Sequence, residues 1–224
     1  MKATLLFMGA DIFSLIIFLA IFLFSVVIHE VSHGLMANYL GDSTAKDSGR
    51  LSLNPLVHLD IVGSLLVPGF LLLLSRFSGV GIIFGWAKPV PVNFNRLRDQ
   101  KYGVAKVSLA GPVANLFLAL FFGLLIRFVL SHWAGLNFVD NLTEVFGLIV
   151  WVNLLLAIFN LLPIPPLDGS HILLTFLPQA WKKYGMLLQR YSLILLLVFI
   201  FFFFDFLIPI IQFCFKFIVG HYFF

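Results

Sequence analysis

Charge is what this sequence has least of. Only 11% of its 224 residues are Asp, Glu, Lys or Arg, and 61% are hydrophobic. A soluble domain carries about 25% charged residues, so most of this chain's surface is not built to face water. Cysteine is almost absent: Cys214 stands alone, which excludes an intrachain disulfide and leaves the redox compartment unread. There is no internal repeat and no linker long enough to divide the chain. We therefore expect one membrane-embedded domain over residues 1–224, with a core from about 11 to 175 and apolar C-terminal helices from about 187 to 219. The formal net charge of +4 does not point to nucleic acid here. Most Lys and Arg sit in loops, where they fix orientation against a membrane.

What the sequence does have is long apolar runs, which mark transmembrane helices. The first covers about Ile12 to Gly34 and, lacking a convincing cleavage site, is read as a retained helix rather than a signal peptide. Further runs cover about Ile61 to Leu74, Val104 to Leu130 and Val145 to Leu162, and the tail from Leu187 to Val219 holds one or two more. The Phe-rich stretch in that tail is read as lipid-facing. The fold class expected is an all-α polytopic membrane protein of five to six transmembrane helices. The stretch from Ser78 to Asn93, SGVGIIFGWAKPVPVN, is rich in Gly and Pro. Those residues disfavour helix, and the β-branched and aromatic content favours strands or a hairpin, so a short re-entrant β-like segment is expected around 78–93. Non-helical backbone at membrane depth is tolerated only where protein buries it or a wet cavity meets it. Residues 131–144 contain no Lys or Arg, whereas 35–60, 88–106 and 178–190 hold most of them. The positive-inside rule puts those three loops in the cytoplasm and 131–144 outside, with Arg127 a mild exception.

The first apolar run ends in His29-Glu30-Val31-Ser32-His33, an H-E-x-x-H pattern. Residues four apart share a helical face, so both imidazoles can reach one ion, and Glu30 is placed as a general base. Chance gives such a pattern in about one chain in seven hundred of this composition, so the match carries weight but needs a structural context. A charge near a helix centre in lipid is costly, by about 2.5–3.5 kcal/mol, and is usually functional. A catalytic zinc site needs a third protein ligand. The candidates are His58, His132, His171, Asp60, Glu144 and Asp168. His132 and Glu144 fall on the opposite side by the topology above. Asp168 is preferred: Pro163, Pro165 and Pro166 break the helix before it, and Gly169 is expected to let the backbone turn after it. The competing reading of Asp168 is an N-cap of a helix over 169–177.

Three motifs occur in order: HEVSHG, AGPVANL (Ala110 to Leu116) and NLLPIPPLDG (Asn160 to Gly169). Together they resemble the site-2 protease family of intramembrane zinc metalloproteases. RLSLNPLVHLDIVGSLLVP and GWAKPVPVN are similar to its small bacterial branch lacking a PDZ domain. The resemblance spans about residues 25 to 175, with Ser170 standing where many relatives carry a second Gly. It implies a Zn2+ cofactor held by His29, His33 and Asp168, with Glu30 catalytic. It further implies that Asn115 contacts the substrate backbone and that Asn160 belongs to the extended zinc-site motif. For both asparagines, helix–helix hydrogen bonding is the competing role.

The expected activity is hydrolysis of peptide bonds within or next to transmembrane segments of a membrane protein or peptide substrate. The substrate helix must unwind first, and an extended edge over Gly85 to Asn93 could hold it by backbone pairing, its prolines limiting the length. The alternative is a polytopic transporter or metal-ion-binding membrane protein without protease activity, since buried acidic and His residues beside broken helices also describe carriers. The chain is expected in the cell membrane, plasma or inner, as a multi-pass protein in the lipid bilayer with its active site nearer the cytoplasmic face. Substrate identity and oligomeric state are open.

Overall fold

The structure, a computed structural model, describes residues 12–60, 63, 88–178 and 182–220. The expected second apolar run, about 61–74, and the greater part of the 78–93 segment lie outside the described residues. What is described is helical. The elements are α1 (Ile12–Tyr39), the single turn α2 (Thr44–Asp47), α3 (Gly103–Phe128), α4 (Asn137–Asn160), α5 (Asp168–Phe176), α6 (Lys182–Arg190), α7 (Ser192–Phe202) and α8 (Leu207–Val219). Among the described residues there is no strand, and 88–93 has no regular structure.

Helices α1, α3 and α4 are each long and apolar enough to cross a membrane. Helices α7 and α8 form a bent pair, with 63° between their axes, that counts as a fourth crossing if the two make one broken span. Large apolar side chains point outward along all of them, as lipid requires and water would not: Phe117, Phe121, Phe202, Phe213 and Phe217 are exposed.

Helix α3 is the centre of the bundle and packs against α1, α4, α5 and α8. Its contact with α4 and α8 forms the main apolar core, built on Ala119, Ile126, Val150, Leu154, Ile211 and Phe215. Small residues allow the helices to approach, as is usual in lipid. A Cβ on Gly123 would collide with the Ile218 side chain. Arg127, the exception to the charge rule, has a local purpose. Its guanidinium donates to the Phe217 carbonyl at 2.8 Å, satisfying an end of α8 that has no further helical donors.

The loops between α1 and α3 are tied by Asp42, which is completely buried. Its carboxylate accepts from the Thr44 backbone at 3.1 Å, from the Thr44 hydroxyl, and from the Asn93 backbone at 2.6 Å. Burial opposes ionisation of this group, but the donors from Thr44 and Asn93, with Arg96 nearby, outweigh it and hold the carboxyl below its ordinary 3.8. A carboxyl whose pKa falls on folding stabilises the fold above its unfolded value and loses that contribution as the pH drops. Asp42→Asn is therefore expected to cost about 1–3 kcal/mol at neutral pH. Thermal melting in detergent should show the gap to wild type closing as the pH is lowered through and below 3.8.

Candidate active site

The helical spacing of H-E-x-x-H does what the sequence requires. His29 and His33 lie on one face of α1, both buried, at 5% and 8% exposure. Facing them is the N-terminal turn of α5. The chain leaves α4 at Asn160, is turned by Pro163, Pro165 and Pro166, and re-enters helix with Asp168 as its first residue. The N-cap position is Leu167 and no side chain caps the helix, so the competing reading of Asp168 as a cap does not hold. Gly169 acts differently from expectation. It is helical, with no positive φ. A Cβ there would strike the Leu161 backbone carbonyl, so glycine serves close approach of α5 to the end of α4.

Oδ2 of Asp168 lies 3.1 Å from Nε2 of His29 and 3.2 Å from Nε2 of His33, and the two nitrogens are 3.0 Å apart. His33 Nδ1 is 2.7 Å from the Val107 carbonyl, and His29 Nδ1 is 2.5 Å from Asn115 Oδ1. Both partners accept only, so each Nδ1 carries a proton, and a neutral ring then presents the lone pair of its Nε2. With both rings neutral, the centre of the site is two imidazole lone pairs and a carboxylate oxygen, all within 3.2 Å of one another. Three acceptors at that spacing repel unless a cation lies between them. Bonds of about 2.0–2.1 Å around a tetrahedral ion separate its ligands by about 3.3 Å, close to the observed triangle. Among the described residues these three are the group that could hold a metal ion, and their chemistry fits zinc.

Glu30 and this triangle open onto one cavity of about 340 Å³, also lined by Pro89, Val90, Phe94, Ser108, Asn160 and His171. The Val90 N–H donates to Glu30 Oε2 at 2.9 Å. Gly34 makes this possible, because a Cβ there would lie 2.8 Å from Val90 and 2.6 Å from Leu51. The expected extended edge is therefore not borne out by its described part. Lys88 N–H is bound to His58 O, Val90 to Glu30 and Asn93 to Asp42, and Pro89 and Pro91 have no N–H to give. Residues 85–87 lie outside the described residues.

His29, Glu30, His33 and Asp168 are brought together, and Asn160 lines the same cavity while its amide donates to Leu156 O at 2.9 Å. Asn115 lies behind the site instead. It is completely buried and does not line the cavity; its neighbour is His29, not a surface a substrate could reach. His171 lines the cavity with its ring against Phe94. The remaining candidates are elsewhere: His58 is buried with Nε2 2.8 Å from Ser52 O, and Asp60 accepts from Gly63.

Sequence reasoning missed the Val107 carbonyl and the Val90 N–H, because backbone groups leave no residue signature. It also missed Gly111, which did leave one: a Gly-Pro pair inside an apolar run. A Cβ on Gly111 would lie 2.7 Å from His29 Nε2 and closer still to His33 Nε2. Gly111→Ala is expected to push the imidazoles apart. Overpacking of this kind costs about 1–3 kcal/mol, or about 5- to 150-fold in zinc affinity, measurable by competition with a chelator.

Known proteins of one family resemble this chain. The model of Peptidase family M50 matches residues 136–204, which include Asp168. A Bacillus subtilis protein named "Putative zinc metalloprotease YwhC" is 38% identical over 178 residues, covering 78% of this chain and 75% of that protein. Rip2 of Mycolicibacterium smegmatis, named in the same terms, is 33% identical over 69% of this chain and 54% of its own length. MJ0611 of Methanocaldococcus jannaschii is 40% identical over 39% of this chain and 42% of its own. No solved structure matches the chain. With the relative from Bacillus subtilis similar over most of both chains, and with His29 and His33 buried on a helix apolar enough to cross a membrane, the chain belongs to peptidase family M50, the intramembrane zinc metalloproteases of the site-2 protease type.

Proposed function

We propose that this protein hydrolyses peptide bonds within or next to transmembrane segments of membrane proteins, with His29, His33 and Asp168 as zinc ligands and Glu30 as the catalytic acid–base. The observation that carries the reading is the triangle of His29, His33 and Asp168 ligand atoms sharing a cavity with the Glu30 carboxylate. Zinc held there would supply Lewis-acid polarisation of the scissile carbonyl and would acidify a water. Glu30 accepts the proton of the attacking water and returns it to the leaving amine nitrogen. The Val90 N–H holds one oxygen of Glu30, leaving the other to face the reactants. Asp168 sits at the first residue of α5, where the positive end of the helix favours its ionised form. Pro112 deprives the Ser108 carbonyl of its helical donor. Ser108 lines the cavity, so its carbonyl could accept an N–H of an unwound substrate.

A substrate helix must unwind before this chemistry, since its carbonyls are otherwise engaged. The full architecture in this reading has five to six spans. The loops 35–60, 88–106 and 178–190 face the cytoplasm, and the site opens nearer that face of the cell membrane. The charge distribution supports this orientation.

The test compares the membrane peptides that accumulate in cells carrying wild-type protein with those in cells carrying Glu30→Ala. Loss of a general acid–base typically costs about 10²- to 10⁴-fold in rate, so product peptides should disappear while purified Glu30→Ala retains zinc. Cleavage at the wild-type rate by Glu30→Ala would refute the role given to Glu30. Unchanged transport of a metal or solute by the variant, with no peptide change in either strain, would favour a carrier.

A further inference from the structure

Asn153 has no place in the mechanism above, yet it is completely buried in the middle of α4, as is Asn115 on α3, and Ser25 on α1 is 3% exposed. The three form one chain of hydrogen bonds leading to His29. Asn153 Nδ2 donates to the Ile149 carbonyl at 2.9 Å and to Ser25 Oγ at 3.0 Å. Asn153 Oδ1 accepts from Asn115 Nδ2 at 2.7 Å, and the same Nδ2 is 3.2 Å from the Ser25 carbonyl. Asn115 Oδ1 accepts from His29 Nδ1 at 2.5 Å.

We propose that Asn153 is a positioning residue for the metal site, fixing which nitrogen of His29 carries the proton by orienting the amide of Asn115. An amide has a donor end and an acceptor end, and either can face a histidine. A backbone carbonyl has no such choice. The Ile149 carbonyl forces the Nδ2 end of Asn153 towards itself, because the reversed amide would set two oxygens against each other. Oδ1 of Asn153 then faces Asn115 and, together with the Ser25 carbonyl, takes the two protons of its Nδ2. Oδ1 of Asn115 is left for His29, so Nδ1 is protonated and Nε2 is bare towards Asp168. Reversing Asn115 would place an N–H against Nδ1, move the ring proton to Nε2 and remove one of three metal donors. The direction is relayed from the α4 backbone through α3 to α1. Burial keeps water from substituting for any member, and a fully satisfied buried network holds one arrangement.

This inference rests on the zinc reading, and the test separates the two. The full-length protein in detergent is titrated with zinc against a competing chelator, and the thermal midpoint of the metal-free form is recorded alongside. Partners that orient a metal-binding histidine are worth about 10- to 100-fold in affinity, and Asn115→Leu should lose that much. Asn153→Leu should lose about 10-fold, and the Asn115→Leu/Asn153→Leu double variant should bind no more weakly than Asn115→Leu alone, the mark of two residues acting in series. Ser25→Ala, which disturbs the fold least, should shift affinity in the same direction by a few fold and decides the matter if Asn153→Leu does not fold. If Ser25→Ala and Asn153→Leu bind zinc as wild type does and only their thermal midpoints fall, Asn153 is helix-joining material and the proposal is overturned. Full additivity with Asn115→Leu overturns it too. Wild-type protein whose zinc binding is absent, or is unaffected by His29→Ala, would instead overturn the zinc reading itself.

Discussion

Two imidazole nitrogens and a carboxylate oxygen about 3 Å apart in an apolar bundle call for positive charge between them. That constraint organises this molecule. Nδ1 of each histidine is tied to an oxygen, so neither ring can relieve the repulsion by moving its proton. The low-dielectric surroundings raise the cost of leaving the carboxylate uncompensated. A metal held there would be linked to folding, because ligand binding to the folded state adds to stability.

Bringing three side chains this close requires their helices to be close as well, and the glycines show where. Gly111 brings α3 against the imidazoles, Gly169 brings α5 against the end of α4, and Gly34 admits the loop that carries Val90 to Glu30. None of the three is needed for a positive φ. A methyl group would meet the imidazoles at Gly111, the Leu161 carbonyl at Gly169, and the Leu51 and Val90 side chains at Gly34. Away from the site, the interhelical contacts are the ordinary ones of a membrane bundle: an apolar core of α3, α4 and α8, and aromatic side chains turned outward.

Much of this was legible in the sequence because the relevant constraints are local. The i, i+4 spacing of His29 and His33 is a helix property. Asp168 stood out because prolines end the preceding helix whatever the tertiary context. Helix ends were less legible. The first helix continues past Gly34 to Tyr39, and α4 begins at Asn137 although Asp140, Asn141, Thr143 and Glu144 look like loop. Polar residues are compatible with helix wherever the helix emerges from lipid. The β-like reading of the Gly/Pro stretch rested on its helix breakers and on its β-branched and aromatic residues; in its described part, 88–93, Pro89 and Pro91 leave few donors, and Val90 and Asn93 are held by side-chain acceptors instead. Asn115 illustrates the deeper limit. Its motif marks it as important, but only the tertiary structure says that it faces His29. Asn153 had no motif, and its role depends on an Ile149 carbonyl that no sequence displays.

X-ray absorption at the zinc K-edge, on purified protein loaded with one equivalent of zinc, tests the central claim most directly. The account predicts only nitrogen and oxygen neighbours at about 2.0–2.1 Å, with the multiple-scattering signature of two imidazoles, reduced to one in His33→Ala. A sulfur neighbour at about 2.3 Å, or an imidazole signature unchanged when His29 and His33 are both replaced, would contradict it.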